Sequence, residues 1–138
     1  MKKRFVLEAV TETDFSVYAI NSHAKGYALC WNINKQLELD LEKIQDQKID
    51  QSMFARYNYT TEQGVEYNII TNRSKQGYFI PDKKGVNYFF VVNKRHNETQ
   101  KNQFITKLKT NNEILLVFEL DLTKSKYTER FIFNDKKN

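Results

Sequence analysis

The residues able to do acid–base, nucleophilic or metal chemistry are few in this chain of 138: two histidines, His23 and His96, and one cysteine, Cys30. A metal site needs several converging His, Cys or carboxylate ligands. No HxxxH, CxxC or HxH spacing occurs. His23 and Cys30 fall on nearly one face of a helix, but two ligands do not hold a metal. Cys30 sits beside Trp31 on an apolar helical stripe, so a buried, inert thiol is expected, with Trp31 in the core rather than standing out as a ligand platform. His96 follows Lys94 and Arg95 at a strand end and is expected in solvent. There is no GxSxG elbow. Four scattered glycines, Gly26, Gly64, Gly77 and Gly85, exclude a phosphate loop or a dinucleotide fingerprint, because there the backbone must closely approach the phosphate. No pair of carboxylates stands out. The sequence therefore points to no catalytic residue, metal or cofactor.

What remains is binding chemistry. The net charge of +5 is unevenly spread: residues 1–70 carry 8 Lys/Arg against 10 Asp/Glu, and residues 71–138 carry 14 against 7. The acidic excess lies between Glu38 and Asp50. A basic half of this kind suits an anionic partner, although lysines also simply keep a small protein soluble. Arg73, Lys75, Tyr78, Lys83, Lys84 and Tyr88 interleave cations with aromatic rings. Such residues could line a groove for a single nucleic-acid strand, with rings stacking on bases and lysines holding phosphates. The competing explanation is that Tyr78 and Tyr88 are half-buried strand residues. Arg73 could form a bidentate bond to a carboxylate, either its own Asp82 or one on a partner. Lys25-Gly26-Tyr27-Ala28 matches the opening of an RNA-recognition signature. The match then fails at Leu29-Cys30-Trp31-Asn32, in a region that reads as helix and not strand.

These residues must be placed by a regular framework. Alternation at Phe5, Leu7 and Ala9, and again at Phe15, Val17 and Ala19, predicts two early strands. A helix over residues 24–39 follows, capped by Asn21 or Ser22, with Tyr27, Cys30, Trp31, Ile33 and Leu37 as its apolar face. Residues 40–50 read as irregular, with at most a short edge strand. A hairpin spans residues 53–71 and turns at Gly64. A short strand at residues 78–80 leads into the only proline, Pro81, which removes an amide donor and pushes Ile80 toward extended geometry. Residues 86–92 have the unbroken β-branched and aromatic profile of a central strand buried on both faces. A second helix, capped by Asn97 or Thr99, reaches Lys109 with Phe104, Ile105 and Leu108 as its stripe. Strands follow at 113–120 and 128–133, and residues 134–138 form a flexible tail. The expected fold is a single α+β domain over residues 1–138. It has two layers: a mostly antiparallel sheet with both helices on one face, and a second face left open enough to form a homodimer.

Several patches, in order, resemble a bacterial family of unknown function named for its pattern, IPExxxVDY. Asp14-Phe15 is followed by Tyr27, Leu29, Trp31 and Asn34-Lys35 on the helix, then Asn72-Arg73-Ser74, Gly77-Tyr78 and the stretch from Ile80 through Pro81, Asp82, Val86 and Asn87 to Tyr88. Asp82 stands where the pattern has Glu, and Asn87 where it has Asp. A structural role tolerates both changes, since Asp and Asn accept hydrogen bonds in turns. The resemblance implies no activity. It implies a setting near acyl carrier protein, its condensing enzyme and ribonuclease III.

The composition excludes an internal disulfide, because Cys30 is alone. No apolar run approaches the roughly 18 residues of a membrane span. Glu8, Glu12 and Asp14 interrupt any signal-peptide core. The sequence predicts a cytoplasmic, non-enzymatic binding domain whose basic half contacts an acidic protein, such as acyl carrier protein, or RNA. An enzyme built from Arg73, Asp82 and Asn34 is a third possibility, to be tested by a pocket around them.

Overall fold

The computed structural model describes residues 14–133. Strand β1 (Ser16–Asn21) is followed by helix α1 (Gly26–Leu37), then β2 (Glu42–Ile49), β3 (Ser52–Thr60) and β4 (Glu66–Thr71). Two short strands come next, β5 (Arg73–Ser74) and β6 (Gly77–Tyr78). Then follow β7 (Tyr88–Val92), helix α2 (Glu98–Lys109) and β8 (Leu116–Glu119), with 3-10 turns at Pro81–Lys83, Leu122–Lys124 and Thr128–Phe131. The six long strands form one sheet in the order β2-β3-β4-β7-β1-β8, and every neighbouring pair is antiparallel. The fold is α+β, as expected.

The pleat sends alternate residues to two cores. Tyr18, Ile20, Ile69, Tyr88 and Phe90 face the helices, where they meet Leu29, Cys30 and Ile33 of α1 and Leu108 of α2. Phe104 of α2 stacks 4.7 Å from Tyr18 and 5.2 Å from Phe90, ring centre to ring centre. Val17, Ala19, Ile70, Phe89 and Val91 face the other way, onto Phe79, Ile80, Val86, Leu120 and Phe131. All five residues of β7 are buried, which explains its unbroken apolar run. The second face is therefore not open as expected. The proline segment and the chain after β8 cover it as an irregular third layer.

Other elements differ from the sequence expectation for local reasons. Residues 42–49 are a full edge strand, with its register shifted between Ile44 and Gln47. Its scattered charges suit an edge, where they discourage pairing with a second sheet. Residues 128–131 form a 3-10 turn, not a strand. The residue before α1 is Lys25, with no side-chain cap; Ser22 instead accepts the amide of Ala24 through its hydroxyl. Asn97 caps α2 as expected, in a reciprocal capping box with Gln100. Gly26 allows Tyr57 to lie against the start of α1, since a Cβ there would stand 2.7 Å from the Tyr57 hydroxyl oxygen. Trp31 is not in the core: only Leu29, Cys30 and Ile33 of α1 are buried, while Tyr27 and Trp31 are 68% and 60% exposed. The first predicted strand (Phe5, Leu7, Ala9) and the predicted flexible tail lie outside the described residues. Among the described residues, no helix is long and apolar enough to cross a membrane.

Candidate functional site

The proline segment is built around Asn72, which is fully buried where the chain leaves β4. Its side-chain amide donates to the carbonyls of Lys83 (2.7 Å) and Val86 (2.9 Å). Its side-chain oxygen accepts the amide of Ile80 at 2.8 Å. Its backbone N–H donates to Asn87, and its backbone carbonyl accepts from Phe79. One residue thus fixes both ends of the loop that Pro81 begins. Pro81 opens the 3-10 turn, where its missing amide costs nothing. Ile80 and Val86 plug the second core. Asn87 accepts the amide of Ser22 through its side-chain oxygen, and the Tyr88 hydroxyl donates to the carbonyl of Ala24 at 2.6 Å.

The consequence is a display of cations. Lys84 is exposed at the tip of the loop, with Lys83 half-buried beside it. The β5–β6 hairpin sets Arg73 opposite Tyr78 and exposes Arg73 and Lys75. The Lys84 ammonium lies 5.7 Å from the centre of the Tyr78 ring. Tyr78, Pro81, Lys84 and Arg130 form one wall of a cleft of about 650 Å³, and the turn at residues 50–52 forms the other. Arg130 is held in place by donating to the carbonyl of Phe79 (2.6 Å) and stacking over Tyr127. Hydrogen bonds from Thr123 hold the Asp121 carboxyl below its ordinary range, with Lys124 and Lys83 adding their charge. Among the described residues, no carboxylate forms an ion pair with Arg73, Lys75, Lys83 or Lys84. The expected Arg73–Asp82 pair is therefore absent, and Asp82 is exposed.

The structure sets Arg73 and Lys84 beside Tyr78, with Lys75 on the same hairpin and Lys83 next to Lys84 in the loop, but removes Tyr88. That ring is only 7% exposed and belongs to the opposite, helix-facing core. Tyr78 and Tyr88 therefore cannot line one groove. Asn34 is also structural and distant. Its side chain donates to and accepts from the backbone of Leu41, tying the end of α1 to the start of β2. Among the described residues, none of the main pockets is lined by Arg73, Asp82 or Asn34.

Cys30 and His96 are both taken up by the fold, whereas His23 is exposed. Burial pushes the Cys30 thiol up to about 12, which leaves negligible thiolate at neutral pH. His96 is not in free solvent as expected: its Nδ1 lies 2.6 Å from the Tyr18 hydroxyl, and its backbone N–H donates to the Ser16 hydroxyl. Burial lowers its pKa from 6.5, and the charge of Lys94 lowers it further. Below pH 6.5 the unfolded chain therefore takes up a proton that the folded chain resists. Stability is kept above that value and lost as pH falls toward the lower folded pKa. The urea midpoint is expected to drop between pH 7.5 and 5.5, and His96→Asn should flatten the drop. An unchanged slope in the variant would assign it to another group.

Sequence reasoning missed Asn72 as the organiser of the loop, and it missed Arg56. The clue for Arg56 was in the alternation of β3, which places it on the same inward face as Phe54. Arg56 is 1% exposed and donates to Asn68 and Gln47. Searches with the sequence found no matching protein-family model and no matching curated protein.

Proposed function

We propose that this protein is a non-enzymatic binding domain that holds an acidic protein on the basic face displayed by the proline segment. The observation that carries this is the set of Arg73, Lys75, Lys83 and Lys84 on the β5–β6 hairpin and the proline loop, which have no internal ion-pair partner among the described residues, with Lys84 bordering a cleft. Unpaired cations on a rigid loop attract an anionic surface over roughly a Debye length, about 8 Å at physiological salt. They pay little ordering entropy, because Asn72 has already fixed the backbone beneath them. An acidic protein fits this face better than RNA does. With Tyr88 buried, only Tyr78 remains, and a single strand is held by stacking on successive rings. The likeness to the IPExxxVDY pattern belongs to the same proposal: Ile80, Pro81, Val86, Asn87 and Tyr88 build the loop, and the lysines between them make the contact. Acyl carrier protein, a candidate through that likeness, is the first partner to try.

The test is calorimetric titration with purified acyl carrier protein, alongside capture of acidic proteins from native lysate, at 50 and 500 mM salt. Binding should weaken steeply with salt. Lys83→Glu with Lys84→Glu should weaken it by at least tenfold, about 1.4 kcal/mol. If every captured partner is retained equally by that double variant, the basic face is not the contact.

A further inference from the structure

Helix α1 carries a second surface, on the opposite side of the sheet from the basic face. Tyr27, Trp31 and Lys35 recur every four residues, so they stand in one row along its outer side. Tyr27 and Trp31 are 68% and 60% exposed. The Lys35 ammonium rides over the Trp31 ring, 4.2 Å from its centre. Lys25 is exposed just before the helix. Among the described residues, neither Lys25 nor Lys35 is ion-paired with a carboxylate. Nothing in the core requires these rings, because Leu29, Cys30 and Ile33 already pack α1 onto the sheet.

We propose that this row is a stacking platform for single-stranded nucleic acid. Tyr27 and Trp31 are four residues apart, a backbone rise of about 6 Å along the helix axis, so each ring can take one base. Lys25 and Lys35 flank them and supply the positive charge that a phosphate backbone needs. Stacking on any base face carries no sequence preference. An exposed ring pair with unpaired lysines at both ends matches that ligand better than an apolar partner, which would gain nothing from the lysines. The geometry differs from that of an RNA-recognition domain, whose aromatics stand on strands; here they stand on a helix. The inference does not depend on the acidic-protein proposal, which concerns other residues on another face.

Trp31 is the only tryptophan in the chain, so its fluorescence reports this site alone. The experiment titrates the full chain with twelve-nucleotide oligouridine and oligothymidine, following Trp31 emission and the anisotropy of a labelled strand. Quenching that weakens as salt rises is expected. Tyr27→Ala and Trp31→Ala should each raise the anisotropy dissociation constant about tenfold, and Trp31→Phe should restore most of the affinity. Both variants lie on the surface and should leave the urea midpoint unchanged. The Lys83→Glu, Lys84→Glu variant should still be quenched, which separates failure of this proposal from failure of the other. Binding of both strands would mean general single-strand recognition, and binding of oligouridine alone would restrict it to RNA. No binding, binding unaffected by the two alanine variants, or equal competition by duplex DNA would overturn the proposal.

Discussion

Asn72→Ala is expected to destabilise the fold by about 3–5 kcal/mol, a large fraction of the roughly 5–15 kcal/mol that holds a typical domain folded. The side chain makes three hydrogen bonds inside a fully buried site. Without it, the amide of Ile80 and the carbonyl of Val86 lose their partners away from water, at about 1–3 kcal/mol each. The carbonyl of Lys83 fares better, because it also accepts from the amide of Val86. Asn72→Asp is the more discriminating change. It keeps the acceptor for Ile80 but turns the donating amide into an oxygen facing two carbonyls. The folded state then favours the protonated acid, so its pKa rises above the unfolded value. Stability is retained below that unfolded value and lost as pH climbs. The deficit of Asn72→Asp should therefore be smaller at pH 4 than at pH 7, while that of Asn72→Ala stays nearly constant. Urea unfolding of both variants at the two pH values checks this. A loss below about 1 kcal/mol for the alanine variant would show that the loop holds itself without Asn72.

The parts of this protein that follow a period were legible in its sequence, and the parts that depend on one polar side chain were not. The stripe of Phe104, Ile105 and Leu108, the cap at Asn97 and the apolar run ending at Val92 each repeat a local rule, and each forms where that rule puts it. Trp31 misleads because an aromatic at helical spacing is usually counted into the apolar face. Leu29, Cys30 and Ile33 sit on an arc that is enough to seat α1, and Trp31 stands on the opposite, outer side of the helix. Residues 120–131 mislead differently. Leu120 and Phe131 reach the second core from irregular chain, and no periodicity announces irregular chain. The basic cluster could be listed residue by residue from the sequence. That Tyr88 points to the opposite core from Ile80 and Val86 depends on the strand register, which composition does not contain.

Arg56→Ala should be comparably costly, at about 3–4 kcal/mol, and two companion variants should reveal why. Arg56 is a cation 1% exposed within the sheet, where burying charge is tolerated only with good partners. Its Nε donates to the side-chain oxygen of Asn68 at 2.9 Å and its Nη1 to that of Gln47 at 3.0 Å, while the guanidinium stacks 4.1 Å from the centre of the Phe133 ring. Gln47 belongs to the edge strand β2, at the point where its register slips against β3. Arg56 thus joins β2, β3 and β4 through side chains where the backbone ladder is irregular. Alanine removes the fork, the stem and the stacking together. Arg56→Met keeps most of the stem volume and discards the charge, so it should recover part of the loss through packing alone. Arg56→Lys keeps the charge but cannot bridge two amide oxygens in the plane of a guanidinium, so it should recover less than methionine despite its conservative appearance. Urea midpoints at constant slope would rank the three. If lysine proved the mildest, positive charge itself would be the requirement at this position, and the role assigned here to the planar fork would be wrong.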